Sequence, residues 1–143
     1  GRGVHVIRDD GELAGLASRA RQGEPWLAQR YHPADGPDRK LYSIGGRIFG
    51  VERPWPARTY EEKLGRPFTV DTTLTTLVER CGAAVGGLSL FGVDVIESDG
   101  TPYVVDMSSF PGFKGVPDAA LRLADHLYWI AHGSAPLSPA VGL

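Results

Sequence analysis

The residues with the clearest chemical potential are two aspartates set among apolar residues in a chain of 143 residues. Asp94 interrupts the apolar run Phe91–Ile96, and Asp106 directly follows the run Tyr103–Val105. A charge inside an apolar strand is costly unless a partner neutralises it, and a divalent cation suits carboxylate oxygens. The pattern therefore predicts a metal site. The alternative is that each acid lies on the solvated face of an antiparallel sheet.

A β-hairpin must bring these two acids together. The segment Ser98–Gly100 consists of turn-forming residues and separates the two apolar runs. If it forms a tight two-residue turn, Asp94 opposes Val105, and the two acids point to opposite faces. A shared site therefore requires a register shift of one residue. Pro102 cannot donate to the ladder and favours a longer, irregular loop, so we predict the shifted register.

A second hairpin is predicted around the two-residue turn Gly45-Gly46. Pairing outward from that turn sets Lys40 against Val51 and Asp38 against Arg53. Asp38, Lys40 and Arg53 then share one face of the sheet. Two cations beside an acid suit an anionic ligand such as phosphate. The alternative is an exposed cross-strand ion pair, which contributes less than about 1 kcal/mol.

Three helices are predicted beside these hairpins. The first begins at the capping pair Asp9 and Glu12, the second at the cap Asp71, and the last near Pro117. The last helix is expected to end at Gly133. Its predicted buried stripe consists of small and apolar residues, namely Ala120, Leu123, Ala124, Leu127 and Ala131.

The remaining segments give weaker predictions. Short strands are predicted at residues 4–7 and 26–31, on either side of the first helix. Residues 54–67 contain three prolines, which predicts an irregular surface loop or a flap on the substrate side.

The composition limits the classes of function. Hydrophobic residues make up 42% and charged residues 22% of the chain, as is ordinary for a globular protein. The net charge of −2 gives no general attraction to nucleic acid or to an anionic membrane. No apolar run approaches the length of a membrane span. The only cysteine, Cys81, cannot form an internal disulfide, which favours a reducing, cytoplasmic compartment.

The order of these elements resembles the ATP-grasp superfamily from Gly1 to about Ala131. Five stretches carry the resemblance: Gln29-Arg30-Tyr31, Asp38–Gly46, Val51–Pro54, Phe91–Ile96 and Asp106–Gly112. The chain is most similar to the ribosomal-protein glutamate ligase-like enzymes and the inositol trisphosphate kinases. Both have a comparable Phe-Pro-Gly loop after the last metal-binding strand.

The resemblance implies a set of nucleotide contacts. Gln29, Arg30 and Tyr31 look like the hinge that contacts adenine, and Asp38 is similar to the acid near the ribose. Gly1-Arg2-Gly3 looks like the glycine loop that covers the phosphates.

The resemblance also implies the residues of the reaction itself. Lys40 looks like the catalytic cation that contacts phosphate or the phosphorylated substrate, and Arg53 looks like a second catalytic cation that contacts phosphate. Asp94, Asp106 and Ser108 resemble the magnesium ligands. Ser108 departs from the usual family pattern, which has asparagine at this position. A serine hydroxyl is a weaker neutral ligand for a second magnesium ion.

The implied fold is α+β and has three parts. Residues 1–33 would be a partial ATP-lid subdomain with a glycine loop, a helix and a hinge strand. Residues 34–133 would be the ATP-grasp C-terminal catalytic subdomain, an antiparallel sheet with helices packed on one side. Residues 134–143 would be a tail.

The implied function is an ATP- and Mg²⁺-dependent carboxylate–amine ligase that works through an acyl phosphate. One alternative is a kinase that acts on an inositol phosphate or another small-molecule hydroxyl. A second is a non-catalytic relative that binds a nucleotide or a partner. The expected partners are ATP, a small-molecule or peptide carboxylate, and the N-terminal half of the same protein. Without that half, the chain is not expected to turn over.

Overall fold

A computed structural model describes residues 3–19, 21, 23 and 25–133. Gly1, Arg2 and the predicted tail at 134–143 lie outside the described residues. The chain divides into two units, residues 1–33 and 34–143. The helices and strands in chain order are α1 Asp10–Ala17, β1 Asp38–Ile44, β2 Arg47–Arg53, α2 Tyr60–Leu64, β3 Arg66–Phe68, α3 Thr72–Ala84, β4 Leu90–Ser98, β5 Thr101–Ser108 and α4 Ala119–His132. No helix in the described part of the chain has the length and apolarity needed to cross a membrane.

The first unit contains α1, which begins as the sequence predicts. The Asp9 carboxylate accepts a hydrogen bond from the Glu12 backbone N–H at 2.8 Å, as expected of an N-cap. The strands predicted at residues 4–7 and 26–31 are wrong, because the described residues there form no regular secondary structure. A strand exists only where a neighbour accepts its hydrogen bonds, and the local apolar pattern cannot supply that neighbour.

The second unit is organised by a five-stranded sheet with the order β3-β2-β1-β4-β5, in which all neighbours are antiparallel. Gly45-Gly46 joins β1 to β2 with φ values of 62° and 81°. Asp99-Gly100 joins β4 to β5 with φ values of 50° and 69°. Two consecutive positive φ values define the type I′ turn, which follows the twist of a hairpin. Both predicted hairpins are therefore confirmed.

The sheet carries an apolar core on each of its two faces. Leu41 and Tyr42 are consecutive in β1, so their side chains point to opposite faces. The α3 face buries Leu41 together with Leu74 and Val78 of α3. The α4 face buries Tyr42, Ile44, Val51, Phe113 and Val116, with Leu123 of α4 packed against them. The prediction of helices on one side is therefore wrong, because α3 and α4 cover different faces.

The buried stripe of α4 also differs from the prediction. Of the predicted residues only Leu123 is partly buried, whereas Ala120, Ala124, Leu127 and Ala131 are exposed. The half-buried side instead includes Arg122 and His126. The helix is amphipathic, but Arg122 and His126 lie toward the sheet, over Phe49 and beside Ser89. Its large apolar residues Leu127, Trp129 and Ile130 stay exposed, so the apolar stripe does not mark the side that packs.

Residues 54–67 are more regular than predicted. They contain α2 and the first residues of the edge strand β3. The capping box explains α2: Thr59 Oγ1 accepts from the Glu62 N–H at 3.1 Å, and the Glu62 carboxylate accepts from the Thr59 N–H at 3.1 Å. The Thr-x-x-Glu spacing was the sequence signal for this helix.

Candidate functional site

The two aspartates of the β4–β5 hairpin lie directly opposite each other. The pairing from the turn is regular as far as Val95 opposite Val104, and the next pair is Asp94 opposite Asp106. One extra residue, Val105, is accommodated between these pairs as a bulge. The shifted register is confirmed, although its cause is this bulge and not a long loop at Pro102.

The same face extends across four strands. Lys40 of β1 pairs with Asp94 of β4, and Asp38 of β1 pairs with Arg53 of β2. Residues that oppose each other share a face, and alternate residues along a strand do so too. All five sequence-predicted charged residues therefore lie on the α4 face beside its apolar core, namely Asp38, Lys40, Arg53, Asp94 and Asp106.

Lys40 is the immediate partner of Asp94. Its ammonium group contacts both carboxylate oxygens of Asp94. The side chains are 18% and 27% exposed, so water screens this pair less than a surface pair. Burial raises the pKa of the Asp94 carboxyl, the positive charge of Arg53 opposes the rise, and the charge of Asp106 adds to it.

Arg53 is held at two points. Its Nε and Nη2 both donate to Asp38 Oδ2 at 3.1 Å, and its Nη1 donates to the Lys63 carbonyl of α2 at 3.4 Å. The Arg53 and Asp38 side chains are only 16% and 13% exposed, so this is not the exposed ion pair that the sequence left open. Burial raises the pKa of Asp38, while Arg53 lowers it and the charge of Asp94 raises it further.

The oxygen ligands fit a magnesium ion. Asp94 and Asp106 supply carboxylates, and Ser108 of β5 lies on the same face, opposite Gly92. No group of three His, Cys, Asp or Glu residues that could hold a metal occurs within the described ranges. Magnesium commonly binds to one or two carboxylates and completes its shell with water and substrate phosphates. The two acids therefore suit magnesium in the company of an anionic ligand better than an all-protein metal cage.

Sequence reasoning missed Tyr42, which packs beside the charged residues on the same face of the sheet. Tyr42 lies two residues after Lys40 on the same face, with its ring centroid 5.5 Å from that of Phe113. A Cβ at Gly92 would lie 2.9 Å from Pro111 Cγ and 3.2 Å from Tyr42 Cδ1. Gly92 thus allows the loop after β5 to pack closely on the sheet. The i, i+2 spacing from Lys40 was the signal available in the sequence.

The predicted adenine contacts belong to the first unit. Gln29, Arg30 and Tyr31 are exposed and lie in irregular backbone. Their assignment stays a prediction, as does that of the glycine loop, of which only Gly3 is described.

The chain is similar to known proteins of two activities. Residues 60–129 match the family described as the inositol 1,3,4-trisphosphate 5/6-kinase ATP-grasp domain. A probable alpha-L-glutamate ligase of Methanococcoides burtonii is 30% identical over 99 residues, which cover 65% of this chain and 33% of the relative. The probable alpha-L-glutamate ligase 1 of Pseudoalteromonas atlantica is 31% identical over 102 residues, or 67% of this chain and 34% of the relative.

A kinase shows a shorter similarity. The inositol-tetrakisphosphate 1-kinase of Xenopus laevis is 42% identical over 43 residues, which cover 29% of this chain and 11% of the relative. The chain spans about a third of the length of the ligases that it matches. The predicted resemblance to the ATP-grasp superfamily is confirmed.

Proposed function

From this resemblance to the ATP-grasp superfamily, we propose that the chain supplies the magnesium and phosphate contacts of an ATP-dependent carboxylate–amine ligase. The observation that carries the proposal is the position of Asp94, opposite Asp106 on one side and Lys40 on the other. Paired acids that hold a cation, next to a lysine that holds an anion, suit a magnesium nucleotide.

In the proposed reaction the γ-phosphoryl group of ATP passes to a substrate carboxylate, and an amine then displaces phosphate from the acyl phosphate. Bound magnesium would supply neutralisation of the charge on the phosphate oxygens. Lys40 donates to a phosphoryl oxygen from its position beside Asp94. Arg53 is oriented in advance by Asp38 and by the carbonyl of Lys63, and a preoriented cation loses little free energy to reorganisation as charge develops.

The remaining predicted contacts complete the proposal. Gln29, Arg30 and Tyr31 contact adenine, Asp38 lies near the ribose, and Ser108 adds a neutral oxygen to the metal site. The carboxylate substrate is a small molecule or a peptide, and a cytoplasmic location is proposed from the single cysteine.

Two comparisons bear on the choice between ligase and kinase. The glutamate ligases match 65% and 67% of this chain, whereas the kinase of Xenopus laevis matches 29%, so the longer similarity supports a ligase. The family match to inositol 1,3,4-trisphosphate 5/6-kinases supports the second candidate, a kinase that transfers the phosphoryl group to a hydroxyl.

Calorimetric titration of the chain with ATP, in magnesium and in EDTA, tests the site. We expect binding that requires magnesium and that Asp94→Asn and Asp106→Asn each weaken at least about tenfold, because each removes a charged ligand. Asp99→Asn is the matched control, since Asp99 is an exposed acid of the same hairpin and Asn tolerates its positive φ. Magnesium-dependent binding that survives Asp106→Asn would show that the metal roles are wrong.

Product analysis of the whole protein separates the reactions. L-glutamate is the first substrate to test, since the similar ligases carry glutamate in their names. Hydroxylamine added to a ligase reaction traps the acyl phosphate as a hydroxamate, whereas a kinase forms a stable phosphate ester without any amine. Nucleotide binding without either product would support the non-catalytic alternative.

A further inference from the structure

Tyr42 is a buried aromatic residue at the junction between the charged site and the apolar core of the α4 face. Its exposure is 4%, and it pairs with Gly92 on β4. Asp94 is two residues further along β4, which makes it the diagonal neighbour of Tyr42. Diagonal neighbours on one face are within reach of an aromatic side chain.

The Tyr42 ring cannot easily move from this position. Phe113 packs against it at 5.5 Å between centroids. On the β4 side, Gly92 leaves the space that the ring occupies, because a Cβ there would lie 3.2 Å from Tyr42 Cδ1. The polar end of the side chain is thereby held in a fixed place.

The Tyr42 hydroxyl is an unused donor. It makes no hydrogen bond to any residue in the described part of the chain. The hydroxyl oxygen is not among the buried unpaired polar atoms of the described residues, so it reaches solvent and can turn to a neighbouring acceptor without leaving a protein partner. Burial raises the pKa of this phenol to about 12, with further contributions from the charges of Asp94 and Asp38, so the hydroxyl keeps the proton that a hydrogen bond to a carboxylate requires.

We propose that Tyr42 is a positioning residue of the metal site, whose hydroxyl donates a hydrogen bond to the Asp94 carboxylate once the Lys40 ammonium turns to an anionic ligand. The inference rests on the proposed function, because it assumes that Asp94 binds a divalent cation. Outer hydrogen bonds of this kind orient a carboxylate ligand and raise its affinity for the metal. Tyr42 would thus replace the contact that Asp94 gives up.

The competing explanation is that Tyr42 acts only through its ring, as part of the apolar core. Tyr42→Phe distinguishes the two, because it removes the oxygen and keeps the ring. The probe is Mn²⁺, titrated in the presence of a non-hydrolysable ATP analogue and followed by the loss of the free-ion electron paramagnetic resonance signal beyond that caused by the analogue alone. Tyr60→Phe is the matched control, since Tyr60 is 65% exposed on α2.

We expect Tyr42→Phe to weaken Mn²⁺ binding about tenfold with little change in the thermal midpoint, and Tyr60→Phe to change neither. If the wild-type chain binds Mn²⁺ and Tyr42→Phe binds it equally well, the positioning role is overturned and the proposed function stands. If the wild-type chain binds no Mn²⁺ with the analogue, the proposed function fails and the inference fails with it.

Discussion

Asp94 and Asp106 face each other across β4 and β5 because a single extra residue, Val105, separates Asp106 from the regular part of the hairpin. Without that bulge the tight turn would set Asp94 against Val105. Bulges redirect side chains next to functional sites in many sheets. Here the bulge changes two acids on opposite faces into one candidate metal site.

A disulfide cross-link tests this register directly. In a Cys81→Ser background, the pair Asp94→Cys and Asp106→Cys should oxidise readily, because opposed residues have the Cα separation that a disulfide needs. The pair Asp94→Cys and Val105→Cys, which the unshifted register would place opposite, should stay reduced under the same conditions. Mass spectrometry of alkylated samples measures both, and the reverse result would refute the bulge.

Lys40 should compete with the metal for Asp94. Because its ammonium contacts both Asp94 oxygens, Lys40→Met should tighten Mn²⁺ binding in the absence of nucleotide. It should also weaken ATP binding by about tenfold, or about 1.4 kcal/mol, because a phosphate contact is lost. Lys63→Met, which removes an exposed cation from α2, should do neither. If Lys40→Met and Lys63→Met changed Mn²⁺ and ATP binding equally, the effects would come from the loss of one positive charge and not from the Lys40–Asp94 pair.

The Tyr42 phenol should lose its proton late in an alkaline titration. Its pKa is raised to about 12, whereas an ordinary phenol titrates near about 10. The folded state therefore holds this proton more tightly than the unfolded state, so the stability that it contributes is present below pH 10 and is lost as the pH rises toward 12. Absorbance at the tyrosinate band should show a component that titrates near pH 12 and that Tyr42→Phe lacks. A wild-type titration with no late component would contradict the assignment.

Gly115 should tolerate no side chain. Its φ is +79°, and a Cβ there would lie 2.1 Å from the Leu64 carbonyl oxygen at the end of α2. Gly87 has the same φ of +79° with nothing within 4 Å, so Gly87→Ala isolates the backbone strain, about 1–2 kcal/mol. Gly115→Ala should cost about 1–3 kcal/mol more, because overpacking is added. Denaturant unfolding measures both, and equal losses would mean that the loop after β5 does not press against α2.

The sequence by itself determined the local elements and the chemistry of the site. Turn residues at Gly45-Gly46 and Asp99-Gly100 specified both hairpins, since only a few residues adopt the positive φ of a type I′ turn. Period-two spacing then placed Asp38, Lys40 and Arg53 on one face. The two acids in apolar strands were recognisable because an unpaired buried charge is costly.

Only the tertiary structure decided how these elements meet. The bulge at Val105 depends on pairing between strands. The covering of both sheet faces depends on where α3 and α4 pack, and the apolar stripe of α4 does not predict its packed side, because Leu127 and Ile130 stay exposed. Lys40 could be assigned to Asp94 only after the order of β1 beside β4 was known. Local propensity acts over a few residues, whereas strand register, the face that each helix covers and long-range ion pairs arise from contacts between distant parts of the chain. The sequence therefore indicated which residues form the site, but the tertiary structure determined how they are arranged.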